Sequence, residues 1–209
     1  MSQKLQDLLS QNRIIPVVTL DRAEDAIPLA EALTEGGIKV IEITLRTPAG
    51  LDAIRAVSKN VSGMTVGAGT ITTADQFKQA ADAGAQFIVS PGLTQKLAQG
   101  VLHEKTPYLP GVSTTTEILH AREYGLAFLK FFPASLSGGP AALKQFSSLF
   151  PDVRFCPTGG INLANMNDYL SLKNVICVGG SWVATDALIR EKNWAEISRL
   201  AAEACAAIK

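Results

Sequence analysis

Short apolar runs recur along the chain at nearly regular intervals. They are IIPVV (14–18), VIEITL (40–45), TVGAG (65–69), FIVS (87–90), YLPGV (108–112), FLKFF (128–132), RFCPT (154–158) and VICVGG (175–180), with successive starts 20 to 26 residues apart. Runs this short, bounded by Gly, Pro, Asp or Asn, predict buried strands. The segments between them carry helix signals. DRAEDAIPLAEALTEGG, TTADQFKQAADAGA and TTTEILHAREYG each begin near Thr or Asp and end near glycine, as helix caps require. The junctions EGGIKVIEI, DAGAQFIVS and EYGLAFLKF repeat one order: helix, glycine stop, strand. Eight strands alternating with helices predict an α/β protein, a single (β/α)8 TIM barrel over residues 1–209. The opening MSQKLQDLLSQNR adds an N-terminal helix expected to cap one end. A doubly wound open sheet is the alternative, but no G-x-G-x-x-G follows the first strand, and even spacing suits closure better.

Period-two alternation then says where polar groups point. In VIEITLR, Glu42, Thr44 and Arg46 share one face and Ile41, Ile43 and Leu45 the other. The helix-facing side must be apolar, so the Glu-Thr-Arg face is predicted to look inward. In AFLKFFPAS, Lys130 shares its face with Phe128 and Phe132, while Leu129 and Phe131 pack outward. The two strands are the second and sixth, and alternate strands of such a barrel feed the same interior layers. Glu42 and Lys130 are therefore expected to meet near the centre, with Arg46 nearer the mouth. A structural ion pair is one reading, although apolar residues usually fill such a place as well or better. The other is chemistry. An amine among phenylalanines and near a second cation has reasons to shed its proton, and a free amine attacks a carbonyl to form an imine.

Charge and composition narrow the partners. Nineteen Lys and Arg balance nineteen Asp and Glu, and no basic run recommends a nucleic-acid or membrane partner. The N-terminal stretch lacks the core of a signal peptide, and no apolar run approaches a spanning length, so a cytoplasmic location is expected. Cys156, Cys177 and Cys205 are odd in number and widely spaced, matching neither a disulfide framework nor a zinc pattern. Cys156 and Cys177 fall in apolar runs and are expected to act as buried small hydrophobes. His103 and His120 lie in helical segments and receive no catalytic part. No metal and no cofactor is expected.

Two glycine pairs fall where a barrel would hold a phosphate. PTGGI (157–161) and VGGSW (178–182) follow the last two strands, the usual phosphate position of this fold. Backbone N–H groups of Gly159, Gly160 and Gly180, with Ser181, suit an anion. Gly-Gly turns also arise for steric reasons alone. GAGT (67–70) and SPG (90–92) end the third and fourth strands, where Thr70 is placed to bond a substrate carboxylate. The glycines there either leave room at the mouth or fit a tight barrel end.

EITLRT, GAGT, SPGL, PGVST, KFFPA, FCPTGGI and GGSW occur in this order over nearly the whole chain. In this the sequence resembles the 2-dehydro-3-deoxy-6-phosphogluconate (KDPG) aldolases, class I aldolases of the Entner–Doudoroff pathway, many of which also cleave 4-hydroxy-2-oxoglutarate (KHG). The resemblance implies a metal-free homotrimeric lyase that yields pyruvate and D-glyceraldehyde 3-phosphate. It puts the Schiff-base lysine at Lys130 and proton transfer at Glu42. Arg46 and Thr70 fall on the carboxylate-holding positions, with Pro91, Phe132 and Thr158 lining the substrate site. Gly159, Gly160, Gly180 and Ser181 fall on the phosphate pocket. Many relatives read KFFPAE where this chain has Ser135, a departure expected to alter local charge or the preference for the second substrate half, not to abolish the chemistry.

Overall fold

The computed structural model describes residues 2–209. Its strands are β1 (Ile14–Val18), β2 (Val40–Thr44), β3 (Thr65–Gly69), β4 (Phe87–Val89), β5 (Tyr108–Leu109), β6 (Gly111–Val112), β7 (Phe128–Phe131), β8 (Arg154–Pro157) and β9 (Val178–Gly180). The helices are α1 (Ser2–Ser10), α2 (Ala26–Glu35), α3 (Gly50–Asn60), α4 (Ala74–Asp82), α5 (Gln95–Val101), α6 (Thr115–Glu123), α7 (Gly139–Leu149), α8 (Met166–Leu170), α9 (Asp186–Arg190) and α10 (Trp194–Ala206).

Every strand pair is parallel, as strands joined through helices must be. Three of the helix-to-strand turns share one geometry. Gly37, Gly84 and Gly125 have φ of 90°, 99° and 70°, and the next N–H bonds five residues back, Ile38 to Leu33, Ala85 to Ala80 and Leu126 to Ala121. This is the glycine C-cap that returns the chain to the sheet.

The ladder is not one closed ring of eight strands. It consists of a six-stranded sheet, β5-β4-β3-β2-β1-β9, and a three-stranded sheet, β6-β7-β8. Single bridges, Phe155 to Val175 and Thr158 to Gly179, join the two on one side. On the other, the expected strand 108–112 breaks into β5 and β6 at Pro110, which has no N–H for a ladder. Its carbonyl still accepts from Lys130 N at 2.8 Å. The expected strand 175–180 likewise shrinks to β9, with Val175 keeping a single bridge to Phe155. The architecture is thus a curled parallel α/β sheet in two arcs.

Helix-facing residues build the outer core. Ile41 and Ile43 are fully buried, and Phe131 meets Phe146 of α7 and Phe155 of β8 edge-on, with ring centroids 5.9 and 6.4 Å away. Anchoring Phe131 outward turns its neighbour Lys130 inward. The predicted N-terminal helix is α1, which packs on β5 and β7 with Leu5 and Leu9 buried.

Candidate active site

Register shows which side chains share the inner face. Glu42 pairs with Val17 on one side and Gly67 on the other, while Lys130 pairs with Gly111 and Cys156. The two inner faces meet: Lys130 Nζ donates to Glu42 Oε1 at 3.2 Å, and the residues are only 6% and 3% exposed. Burying two charges is expensive unless each faces the other. Here they do, and the ammonium also stands 5.3 Å from the Phe132 ring centroid, a favourable cation–aromatic distance.

The room for Glu42 comes from a glycine. A Cβ at Gly69 would lie 2.2 Å from Glu42 Oε1 and 2.9 Å from its Cγ and Cδ. The carboxylate therefore fills the place where β3 lacks a side chain. The sequence suggests space at the mouth or a tight strand end for this glycine; the register that sets β3 against β2 shows instead that it makes room for Glu42.

Arg46 lies just past β2 and is exposed. Its Nε donates to Thr70 Oγ1 at 3.2 Å, so the two expected carboxylate-holding groups are indeed neighbours. Thr70 has φ 61°, a left-handed conformation that is unfavourable for a β-branched residue. The backbone accepts it at the one position where the hydroxyl reaches Arg46. Pro91 is exposed in the loop after β4, and its carbonyl would touch a Cβ at Gly111, the register partner of Lys130. It therefore sits beside the lysine's layer. Thr158 is buried and also inward, with Cys156 Sγ 4.0 Å from its Oγ1.

The two glycine loops lie side by side because Thr158 bridges to Gly179. Gly159 and Gly160 have φ of 100° and 75°, and Ser135 N donates to Gly159 O at 3.1 Å while Asn165 Nδ2 donates to Gly160 O at 2.9 Å. Among the described residues, neither the Gly160 nor the Ser181 N–H has an intramolecular acceptor. Ser181 is exposed, and the Gly180 backbone is covered by the Trp182 ring. Such a pair of loops can present N–H groups and a hydroxyl to an anion. One contact was not foreseen from the sequence: Thr19 Oγ1 lies 2.9 Å from Thr44 Oγ1, at the ends of β1 and β2.

A parallel α/β sheet that buries a lysine against a carboxylate beside glycine-rich loops holds the groups that enzymes with a lysine nucleophile use. The sequence profile of the KDPG and KHG aldolase family matches residues 5–200. The chain belongs to that family. It is 47% identical over 201 residues to the 2-dehydro-3-deoxy-phosphogluconate aldolase of Pseudomonas aeruginosa, covering 96% of this chain and 91% of that protein. Among solved structures it is similar to the KDPG aldolase of Legionella pneumophila with pyruvate captured at low pH as a covalent carbinolamine, at 42% identity and a TM-score of 0.92 over 94% of this chain and 96% of that one. The 2-keto-3-deoxy-6-phosphogluconate aldolase of Zymomonas mobilis with 3-phosphoglycerate is 41% identical with a TM-score of 0.93, both chains being fully covered.

Proposed function

We propose that this protein is a class I aldolase that reversibly cleaves KDPG to pyruvate and D-glyceraldehyde 3-phosphate, and also KHG to pyruvate and glyoxylate. The observation that carries the reading is the buried Lys130–Glu42 pair at 3.2 Å. Family membership and the covalent pyruvate carbinolamine captured in the Legionella relative support it. Lys130, having passed a proton to Glu42 or water, attacks the C2 ketone. Glu42 or water then returns that proton to the carbinolamine hydroxyl, which leaves as water to give a protonated imine, and the imine accepts the electron pair when the C3–C4 bond breaks. Glu42 takes the C4 hydroxyl proton, the aldehyde leaves, and Glu42 returns a proton to C3 of the enamine. Hydrolysis then frees pyruvate and the amine. Arg46 and Thr70 hold the carboxylate so that the ketone meets Nζ in an attack geometry, with Pro91, Phe132 and Thr158 lining the path. The loops of Gly159, Gly160, Gly180 and Ser181 take the phosphate.

The reading extends to the assembly and setting: one barrel domain over residues 1–209, closed by the two arcs and capped by α1, in a cytoplasmic homotrimer. The bridges at Val175 and Gly179, and the packing of α1 on β5 and β7, support closure and capping.

Incubation with pyruvate and borohydride followed by peptide mapping tests the chemistry. A reduced pyruvate adduct on Lys130 is expected, absent from Lys130→Ala together with turnover. Glu42→Gln should retain some adduct but slow cleavage by about 10²-fold or more, within the range of general acid–base contributions. An adduct on another lysine, or unimpaired cleavage by Glu42→Gln, would refute these roles.

A further inference from the structure

The aldolase reading leaves part of the substrate without a partner. The carboxylate lies toward Arg46 and Thr70, the ketone at Lys130, the C4 hydroxyl at Glu42 and the phosphate at the loops after β8 and β9. Nothing yet receives the C5 hydroxyl, which lies between the last two. The strand between β9 and β2 in the ladder is β1, so β1 lines the route from phosphate to carboxylate.

The inward positions of β1 follow from register. Val17 pairs with Glu42, so Val17 shares its face, and Thr19 is the next residue on that face, just past the strand. Both are partly exposed, in contrast to the buried Ile14, Ile15 and Val18. Val17 offers only methyl groups. Thr19 is therefore the polar group that this wall presents. It also borders a cavity of about 330 Å³ between the loop after β1 and α9, lined by both acidic and basic groups such as Asp21, Asp186, Arg22 and Arg190 and by none of the residues placed in the aldolase site, so the residue is not sealed into the core. Its partner Thr44 is fully buried and fixes it at 2.9 Å.

We propose that Thr19 is a specificity-determining residue: its hydroxyl, positioned by Thr44, bonds the C5 hydroxyl of the phosphorylated substrate. Two threonine hydroxyls that share one hydrogen bond retain one proton to donate and lone pairs to accept. That matches an alcohol, which both donates and accepts. The C5 carboxylate of KHG can accept that proton but has none to return, so it makes only one of the two bonds that an alcohol makes. Thr19 thus biases the enzyme toward aldehydes hydroxylated beside the carbonyl.

This inference rests on the aldolase reading, and the experiment separates the two. Steady-state cleavage of KDPG and KHG is measured for wild type, Thr19→Val and Thr19→Ser, with inorganic phosphate as inhibitor and pyruvate–borohydride trapping in parallel. Removing one neutral hydrogen bond is expected to shift the ratio of kcat/KM between KDPG and KHG by about 3- to 10-fold against KDPG in Thr19→Val. Thr19→Ser should restore most of that ratio. The adduct at Lys130 should still form, and inhibition by inorganic phosphate should hold. An unchanged ratio, whether both activities fall or neither does, overturns the assignment. Weaker inhibition by inorganic phosphate in Thr19→Val also overturns it, placing the residue on the phosphate instead. A wild-type protein that forms no adduct and cleaves neither substrate removes the aldolase reading, a result that does not depend on the variants.

Discussion

At Gly69 an added methyl would stand 2.2 Å from Glu42 Oε1, so Gly69→Ala must push the carboxylate off its 3.2 Å contact with Lys130. Misplacement of about 1 Å at a reacting group can cost about 10²-fold in rate. A loss of kcat of that order is expected, with a folded melting profile. Equal kcat in the variant would show that the carboxylate has room to move. This dependence was hidden in the sequence because it links residues 27 positions apart through register, whereas the Glu42–Lys130 meeting was legible. Alternation alone assigned the inward face of each strand, and burial of both residues follows from their facing the interior, where each is the other's partner. The family motifs implied that Arg46 and Thr70 serve the same carboxylate, but not that Arg46 Nε donates to Thr70 Oγ1. The left-handed backbone of Thr70 was not anticipated, since no local rule places a β-branched residue at φ 61°.

At the scale of the element, α6 shows how a helix start holds the loop after β6. Thr114 Oγ1 accepts from Glu117 N, and the Glu117 carboxylate accepts from the N–H and hydroxyl groups of Ser113 and Thr114. This is a reciprocal cap, and Thr114→Ala is expected to cost about 1 kcal/mol in denaturant unfolding. Partial burial would raise the Glu117 pKa, but the four hydrogen bonds outweigh it and hold the group below its ordinary value. A carboxyl with a depressed folded pKa adds stability above its unfolded pKa and loses it as pH falls through the folded one. Glu117→Gln should therefore flatten the acid side of the stability–pH curve; an unaltered acid limb would show that the cap adds nothing. The sequence TTTE carried this start plainly. The break of one strand into β5 and β6 was available in the proline of YLPGV, but five apolar-looking residues outweighed it in the reading. Proline keeps an acceptor while losing a donor, so half of the pairing survives there.

For the whole molecule, repetition was the legible part, because each strand–helix unit must bury the same two faces and so recurs at nearly the same length. Assembly was not legible from periodicity. A homotrimer of 22.1 kDa chains is expected in sedimentation equilibrium, and a monomer mass at working concentration would remove it. The junctions between the two arcs rest on a few hydrogen bonds at Pro110, Val175 and Gly179, which composition and spacing do not encode.

Those few bonds bear on reactivity. Lys130 belongs to the three-stranded arc and Glu42 to the six-stranded one, so the proposed proton transfer between them crosses from one sheet to another that shares no strand with it. Any slackening between the arcs lengthens that crossing before it unfolds either sheet. The turnover rate is in this sense a gauge of how firmly the two arcs are docked, and it would register a fault at a distant junction such as Phe155–Val175 that a melting curve overlooks.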